Sequence, residues 1–172
     1  ASADAALGAS ALAVATHACT APALAKVAVC PTPREAGSGA EDPEKPDRDV
    51  LRDLLAAEPA DGDAPLWIVL TGHGTWDGKE ARFNLRGPDV SDAELADWLK
   101  PVSRPVVLIV TGSSGAPFLN RVTAPGRIVV TATRSGNERN YARFGEHLAA
   151  VLSDPAGDLD SDGAVSLLEA FL

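Results

Sequence analysis

The sequence predicts an α/β fold with a mostly parallel central sheet and helices on both faces. Three runs of apolar, β-branched residues carry this prediction, at 66–72, 104–112 and 126–133. Continuous apolar runs are typical of strands that are covered on both faces. Segments with helical patterning lie around and between these runs, as expected for parallel strands joined by crossover helices.

Local signals define the remaining elements. Segment 46–58 is predicted to be a helix with Asp47 as its N-cap, because apolar residues recur along one face of it. The other predicted elements are a helix over 91–100 with a Ser91–Glu94 capping box, a helix over 141–152, a strand ARFNL over 81–85 after an Asp-Gly turn, and N-terminal strands over 11–16 and 24–32.

The chain divides into an N-terminal segment, 1–45, and a domain over 46–172. The segment is Ala-rich and weakly patterned, and the prolines, glycines and charges of 33–47 predict a loop. Residues 5–16 resemble the apolar part of a signal peptide but lack a preceding basic residue, so a processed or truncated N-terminus is expected. Because a helix begins just before residue 172, a missing C-terminal part or a partner chain is a further expectation.

Composition narrows the possible partners. The formal net charge of −9 over 172 residues, without a basic patch, disfavours a nucleic-acid partner. No apolar run reaches the length of a membrane span. Cys19 and Cys30 have no metal-binding spacing, and they are either bridged or reduced. These observations leave the cellular location undetermined, with a secreted or periplasmic location favoured over a cytoplasmic one.

The ends of the three predicted parallel strands carry the candidate chemistry. Ligands of open α/β sheets bind at the carboxyl ends of the strands. His73 follows the first strand between two glycines, and Ser113 and Ser114 follow the second. A histidine beside a strand tip that carries a nucleophile can act as a general base. The alternative is a structural histidine that bonds a neighbouring loop.

These segments resemble a known group of enzymes. The stretches VLTGHGT, TGSSG and VVTATRSGNERNYARFG are similar to the caspase-like clan of cysteine peptidases, and within it to legumain-type proteins with the caspase-haemoglobinase fold. The resemblance covers residues 46 to 172. It implies a three-layer sandwich, with His73 at the position of the catalytic histidine. A group of bacterial proteins with the same HG, Ser/Gly-rich and TATRSG segments is also similar.

The resemblance places the catalytic cysteine of the clan on Gly112. Glycine has no nucleophile, so the expectation is a catalytically degenerate homologue that binds a peptide or protein partner. The alternative is an active hydrolase that uses Ser113 or Ser114 with His73. If strand alternation continues past the strand end, Ser113 should point away from His73.

The tip of the third strand corresponds, by the same resemblance, to the edge of the substrate pocket. This places Thr133, Arg134 and Ser135 among the candidate substrate-binding residues. Arg134 could recognise an acidic group through a bidentate pair. The alternative is a solvated loop arginine.

The segment DLDSDGAVSLLE, at 158–169, fits the twelve-residue calcium loop of an EF-hand. Carboxylate-rich oxygen sites suit Ca²⁺ better than Mg²⁺. The alternative is an acidic turn that caps the helix beginning near Val165. A structural Ca²⁺ is therefore expected, and a calcium-stabilised binding module is a third possible function. The predicted ligands are Asp158, Asp160, Asp162, Glu169, the carbonyl of Ala164, and Ser166 through a water.

Overall fold

The computed structural model describes residues 45–140 and 142–172 with their side chains, and the backbone of 11–16 and 28–29. Cys19, Cys30 and most of the predicted loop over 33–47 lie outside the described residues. Of the predicted strand over 24–32, the described part is Ala28–Val29.

The three predicted apolar strands are separated by helices along the domain, as the sequence predicts. The strands are β1 Ala11–Thr16, β2 Ala28–Val29, β3 Leu66–Thr71, β4 Gly74–Trp76, β5 Ala81–Phe83, β6 Val90–Ser91, β7 Val106–Val110 and β8 Arg127–Thr131. The helices are α1 Asp47–Ala57, α2 Asp92–Trp98, α3 Ala116–Val122, α4 Phe144–Leu152 and α5 Leu167–Phe171, with a 3₁₀ turn at Pro155–Gly157 before α5.

The main sheet has five strands in the order β2-β1-β3-β7-β8. Strands β3, β7 and β8 are parallel, with Leu66 beside Val106 and Val106 beside Arg127. Strands β1 and β2 extend this sheet with antiparallel pairings. The fold is therefore α/β with a small parallel sheet of three strands, and the prediction of a mostly parallel sheet holds for these three.

Helices pack on both faces of β7, because its side chains alternate between two apolar clusters. Leu108 and its neighbours at 106 and 110 pack with residues of α1, α2 and α3. Val107 and Ile109 face Leu148 of α4 and Ala170 of α5. All five residues of β7 are buried, which agrees with the continuous apolar run in the sequence.

Three short elements were not predicted from the sequence. Strands β4, β5 and β6 form a separate antiparallel sheet, of which only β5 was expected. Helix α3 lies between Gly115 and a second Gly/Pro-rich turn, a composition that favours a loop. Pro117 is compatible with a helix there because the first turn has no intrahelical partner for its N–H groups.

The capping prediction is confirmed for α2 and wrong for α1. Ser91 and Glu94 form the expected reciprocal capping box. In α1 the N-cap is Pro46, and the Asp47 carboxylate instead accepts hydrogen bonds from Arg86 Nε at 3.1 Å and Nη2 at 2.9 Å. The carboxylate that the local pattern predicts as a helix cap is therefore engaged in an ion pair with an arginine distant in sequence.

The β4–β5 turn is held by Asp77. Its Oδ1 accepts hydrogen bonds from the backbone N–H groups of Lys79 at 2.9 Å and Glu80 at 2.8 Å. Arg82 Nη1 donates to Oδ2 at 3.0 Å. These bonds lower the pKa of Asp77 from 3.8 to about 2, and the bonds from the N–H groups of Glu80 and Lys79 are the largest causes. The charged carboxylate is therefore favoured in the folded state.

We expect Asp77→Asn to reduce stability at neutral pH and to flatten the acid side of the stability profile. A carboxyl with a lowered folded-state pKa stabilises the fold above its unfolded pKa, and this contribution disappears as the pH falls from about 4 to about 2. Thermal melts between pH 7 and pH 2 should show the two proteins converging at the acid end. Asp63→Asn, in the exposed loop before β3, is the control, and an identical profile for both variants would contradict the role of Asp77.

Candidate functional site

The tips of β3 and β7 lie side by side, because these two strands pair in parallel. The Ser113 hydroxyl donates to the carbonyl of Gly74 at 3.1 Å and accepts from the Gly74 N–H at 3.2 Å. The segments that follow β3 and β7 are therefore in contact. Both bonds go to the backbone next to His73.

The two tips pack backbone against backbone. A Cβ atom built on Gly112 would lie 2.6 Å from the carbonyl oxygen of Gly72, and one built on Gly74 would lie 2.2 Å from the carbonyl oxygen of Ser113. Real Cβ atoms do not approach other heavy atoms this closely. In this arrangement Gly112 has no space for a side chain of any kind, including a cysteine.

The expectation that Ser113 points away from His73 depends on continued strand alternation, and that condition is not met. Strand β7 ends at Val110, and residues 112–114 form a bend and turn. Because the two-residue alternation of a strand does not continue through a turn, the Ser113 side chain is directed to Gly74 instead. Its hydroxyl has both a donor and an acceptor partner there, and the residue is 5% exposed.

His73 lies on an exposed connection between β3 and β4. Its carbonyl accepts a hydrogen bond from the N–H of Asn84 at 2.9 Å, which extends the β4–β5 pairing by one step. The Asn84 Oδ1 atom is buried and has no hydrogen-bond partner. His73 is therefore an exposed residue of the segment that follows β3.

Ser114 is the most constrained residue of the second tip. Its φ is 55°, in the left-handed region, and this conformation costs about 1 kcal/mol or more for a residue with a side chain. The residue is 1% exposed, and its hydroxyl has no hydrogen-bond partner. Its N–H donates to the carbonyl of Glu138 at 2.9 Å. Ser114 thus connects the second tip to the third.

The third tip, which follows β8, contains the predicted substrate-binding residues. Thr133 is buried, and its hydroxyl accepts a hydrogen bond from the N–H of Ala116 at 3.1 Å. The Arg134 side chain is 97% exposed and lies 3.8 Å from Glu138. Ser135 accepts a backbone bond from Glu138 at 3.4 Å. Of the three, Thr133 is the one that contacts the second tip.

A depression of about 370 Å³ opens on the loop after β8. Two contacts hold this loop in place, and the sequence signals neither of them. Gly136 packs on the ring of Trp76, where a Cβ would lie 2.6 Å from the ring, and Ser114 holds the carbonyl of Glu138. The residues that line the depression are Ala132, Thr133, Asn137, Glu138, Arg139, Asn140 and Ala142.

The acidic loop forms a second, separate site. Oxygen atoms of Asp158, Asp160 and Asp162 lie within 4.8 Å of one another. Asp158 accepts from the N–H groups of Asp162 at 3.1 Å and Gly163 at 2.9 Å. Gly163, the sixth residue of the loop, has φ 93°, a conformation that favours glycine. Three carboxylate oxygens at this spacing are close enough to share one cation with metal–oxygen distances of roughly 2.3–2.6 Å.

Two of the predicted ligands also have a structural role in this loop. Ser166 is the N-cap of α5 and forms a capping box with Glu169. Glu169 Oε1 accepts from the N–H groups of Leu159 at 2.7 Å and Asp160 at 3.1 Å. Hydrogen bonds with Ser166 lower the pKa of the Glu169 carboxyl to about 2, and the bond from the backbone N–H of Ser166 is the largest cause. Glu169 therefore closes the loop as an ionised carboxylate.

The two sites lie at opposite ends of α4. Gly145, in its first turn, packs on Thr111 at the end of β7, and the helix ends at Leu152, just before the acidic loop. A nine-residue helix is roughly 13 Å long. His73, Gly112, Ser113, Ser114 and Thr133 therefore form one cluster. Asp158, Asp160, Asp162 and Glu169 form another, to which Ala164 adds a backbone N–H bond to Asp162 at 2.9 Å.

Comparison with protein-family models, curated proteins and solved structures gives no match for this chain. Within residues 45–140 and 142–172, none of the helices has the length and apolar character needed to cross a bilayer.

We expect Gly112→Ala to destabilise the protein by about 1–3 kcal/mol, because the added methyl group overpacks the contact with Gly72. Urea unfolding of both proteins measures the change in the free energy of unfolding. The backbone φ of Gly112 is not positive, so the cost should come from the collision alone.

Gly126→Ala is the matched control for this substitution. Gly126 has φ 77°, and a Cβ atom added to it would have nothing within 4 Å, so it isolates the conformational cost of about 1 kcal/mol. Unchanged stability of Gly112→Ala would mean that the 72–74 segment moves aside freely and that the tip contact is not closed.

Proposed function

We propose that this chain is a catalytically degenerate homologue of the caspase/legumain-like peptidases, with a three-layer sandwich of that type. In this proposal the strand tips bind a peptide or protein partner, and the acidic loop binds a structural Ca²⁺. One observation carries the degenerate character. A Cβ atom added to Gly112 would lie only 2.6 Å from the carbonyl oxygen of Gly72, so the position of the nucleophile is closed.

The neighbouring positions of His73 and Gly112 support the relationship. In the clan, the His-Gly pair ends one strand and the cysteine ends the adjacent one. Here His73 follows β3 and Gly112 follows β7, and these two strands pair in parallel. Helices on both faces of β7 are compatible with the three-layer arrangement.

The state of the serines favours loss of catalysis over a serine hydrolase. A nucleophilic hydroxyl must be accessible and must reach a base. Ser113 is 5% exposed and bonds both polar groups of Gly74, and Ser114 is 1% exposed. The strained backbone of Ser114, with φ 55°, is the one feature that favours the alternative, since strain accumulates at functional sites.

We expect no labelling of the folded protein by a fluorophosphonate probe and no hydrolysis of a fluorogenic peptide library. Both buried hydroxyls are out of reach of such reagents. Intact-mass spectrometry detects labelling, and fluorescence detects turnover.

The variants His73→Ala and Ser114→Ala separate the two functions. If the wild-type protein is labelled and both variants are not, the protein is an active serine hydrolase and the proposal of a degenerate site is wrong. A trace of activity that is equal in all three proteins indicates a contaminating enzyme.

The structural Ca²⁺ rests on the spacing of the three aspartates and on the shape of their loop. Mutual repulsion of carboxylates that lie within 4.8 Å is relieved by a shared cation. The loop joins the 3₁₀ turn to α5, which packs on α4 through the Phe144–Phe171 ring pair at 6.3 Å. A bound ion would therefore stabilise the packing of α4 and α5 on one face of the main sheet.

We expect Ca²⁺ to raise the melting temperature of the wild-type protein relative to the same protein in chelator. At a concentration 100 times the Kd, a ligand that binds only the folded state adds about 2.7 kcal/mol. Asp160→Asn should abolish the response, while Asp63→Asn, outside the loop, should retain it. A wild-type melting temperature that is independent of Ca²⁺ would contradict the metal site.

A further inference from the structure

Arg139 has an unusual position among the arginines of this acidic protein. In residues 45–140 and 142–172, every arginine except Arg127 and Arg139 has a carboxylate oxygen within 4.0 Å. Arg127 instead donates to the carbonyls of Val122 at 3.0 Å and Leu99 at 2.6 Å, at the ends of two helices. Among these described arginines, Arg139 is therefore the one with neither a carboxylate nor a helix-end carbonyl as a close partner.

The remaining contacts of Arg139 leave its guanidinium open to a ligand. Its described hydrogen bond is from Nη2 to the carbonyl of Trp76, at a long 3.5 Å. A guanidinium has five N–H donors arranged as a fork that matches a carboxylate. Most of these donors therefore have no partner within the described part of the chain.

The adjacent carboxylate does not neutralise Arg139. Glu138 Oε1 accepts a hydrogen bond from the backbone N–H of Arg134 at 3.0 Å and lies 3.8 Å from Arg134 Nε. The charge of Glu138 is thus directed to the arginine on the other side of the turn. Of the two arginines on this loop, Arg134 is therefore paired with Glu138, and Arg139 is not.

Arg139 lines the depression after β8, where other donors are also available. Asn137 and Asn140 line the same depression of about 370 Å³, and each side-chain amide carries two N–H donors. The Thr133 hydroxyl is used as an acceptor by Ala116, which leaves its own O–H as a donor. The lining therefore combines one cation and several neutral donors with the carboxylate of Glu138, whose ion-pair partner is Arg134.

The depression has a rigid base. Gly136 is fixed against the Trp76 ring, and the carbonyl of Glu138 is fixed by the N–H of Ser114 at 2.9 Å. A site on a fixed loop loses less entropy on binding than one that must be ordered. The loop can therefore present Arg139 at a defined place beside the strand tips.

We propose that this depression binds a carboxylate group and that Arg139, not Arg134, is the residue that holds it. This deepens the proposed function, on which it rests, by naming the group of the peptide partner that the third tip recognises. One cation, with neutral amide and hydroxyl donors, fits a planar monoanion. A net charge of −9 disfavours a dianion such as phosphate.

A carboxylate can come from an acidic side chain or from a chain terminus. N-acetyl-aspartyl amide carries the first and N-acetylglycine the second, while N-acetyl-asparaginyl amide has the same shape without the charge. Titration of the ¹⁵N-labelled full chain with each compound, followed by chemical-shift changes, measures a Kd for each. Inorganic phosphate is titrated in parallel.

We expect one or both carboxylates to shift the amide signals of 132–142 in a saturable manner, with the neutral amide at least about fivefold weaker. Arg139→Gln should weaken binding about tenfold, as for the loss of one charge-assisted interaction. Arg134→Gln removes the ion-pair partner of Glu138 but no donor of the depression, so it should weaken binding by less than Arg139→Gln. The compound that binds more tightly identifies the source of the carboxylate.

Equal losses in Arg139→Gln and Arg134→Gln, or no saturable shift with either carboxylate, would overturn the assignment. Tighter binding of phosphate than of both carboxylates would overturn the ligand class. Melting temperatures of both variants test whether a loss reflects folding, and wild-type values are expected because both side chains are exposed. Serine labelling by the fluorophosphonate probe would refute the degenerate site without affecting this result.

Discussion

The contact between the tips of β3 and β7 organises the rest of the site. Two backbone segments approach so closely that Gly74 and Gly112 each exclude a Cβ atom, and the Ser113 hydroxyl joins them by two hydrogen bonds. The parallel pairing of the strands brings the segments together, and the glycines allow them to touch. A tip that is packed in this way has no space for a nucleophilic side chain at Gly112.

The third tip depends on this closed contact. Ser114 follows Ser113 in a strained conformation and holds the loop after β8 through Glu138, while Thr133 receives the N–H of Ala116. The position of Arg139 is thus a consequence of the turn after β7. The proposed binding function is supported by exposure: the serine hydroxyls of the second tip are buried, whereas His73 and Arg139 are exposed. The acidic loop lies beyond α4 and affects the packing of α4 and α5 without reaching the tips.

Much of the fold could be predicted because its signals are local. The apolar runs indicated β3, β7 and β8, the capping box indicated the start of α2, and the aspartate spacing indicated the loop before α5. Helix α3 and strands β4 and β6 could not be predicted, since each is too short to show a clear periodic pattern. Asp47 illustrates the limit: its local pattern predicts a cap, but Arg86, far along the chain, binds its carboxylate.

The sequence alone determined which side chains lie at the strand ends, because strand length and apolar patterning are local properties. It identified His73, Gly112, the two serines and the acidic loop. Only the tertiary structure decided what these residues can do. The direction of Ser113, the burial of Ser114 and the contact of Arg139 with Trp76 depend on segments tens of residues apart. Such contacts are set by the packing of the whole domain, which no short stretch of sequence encodes.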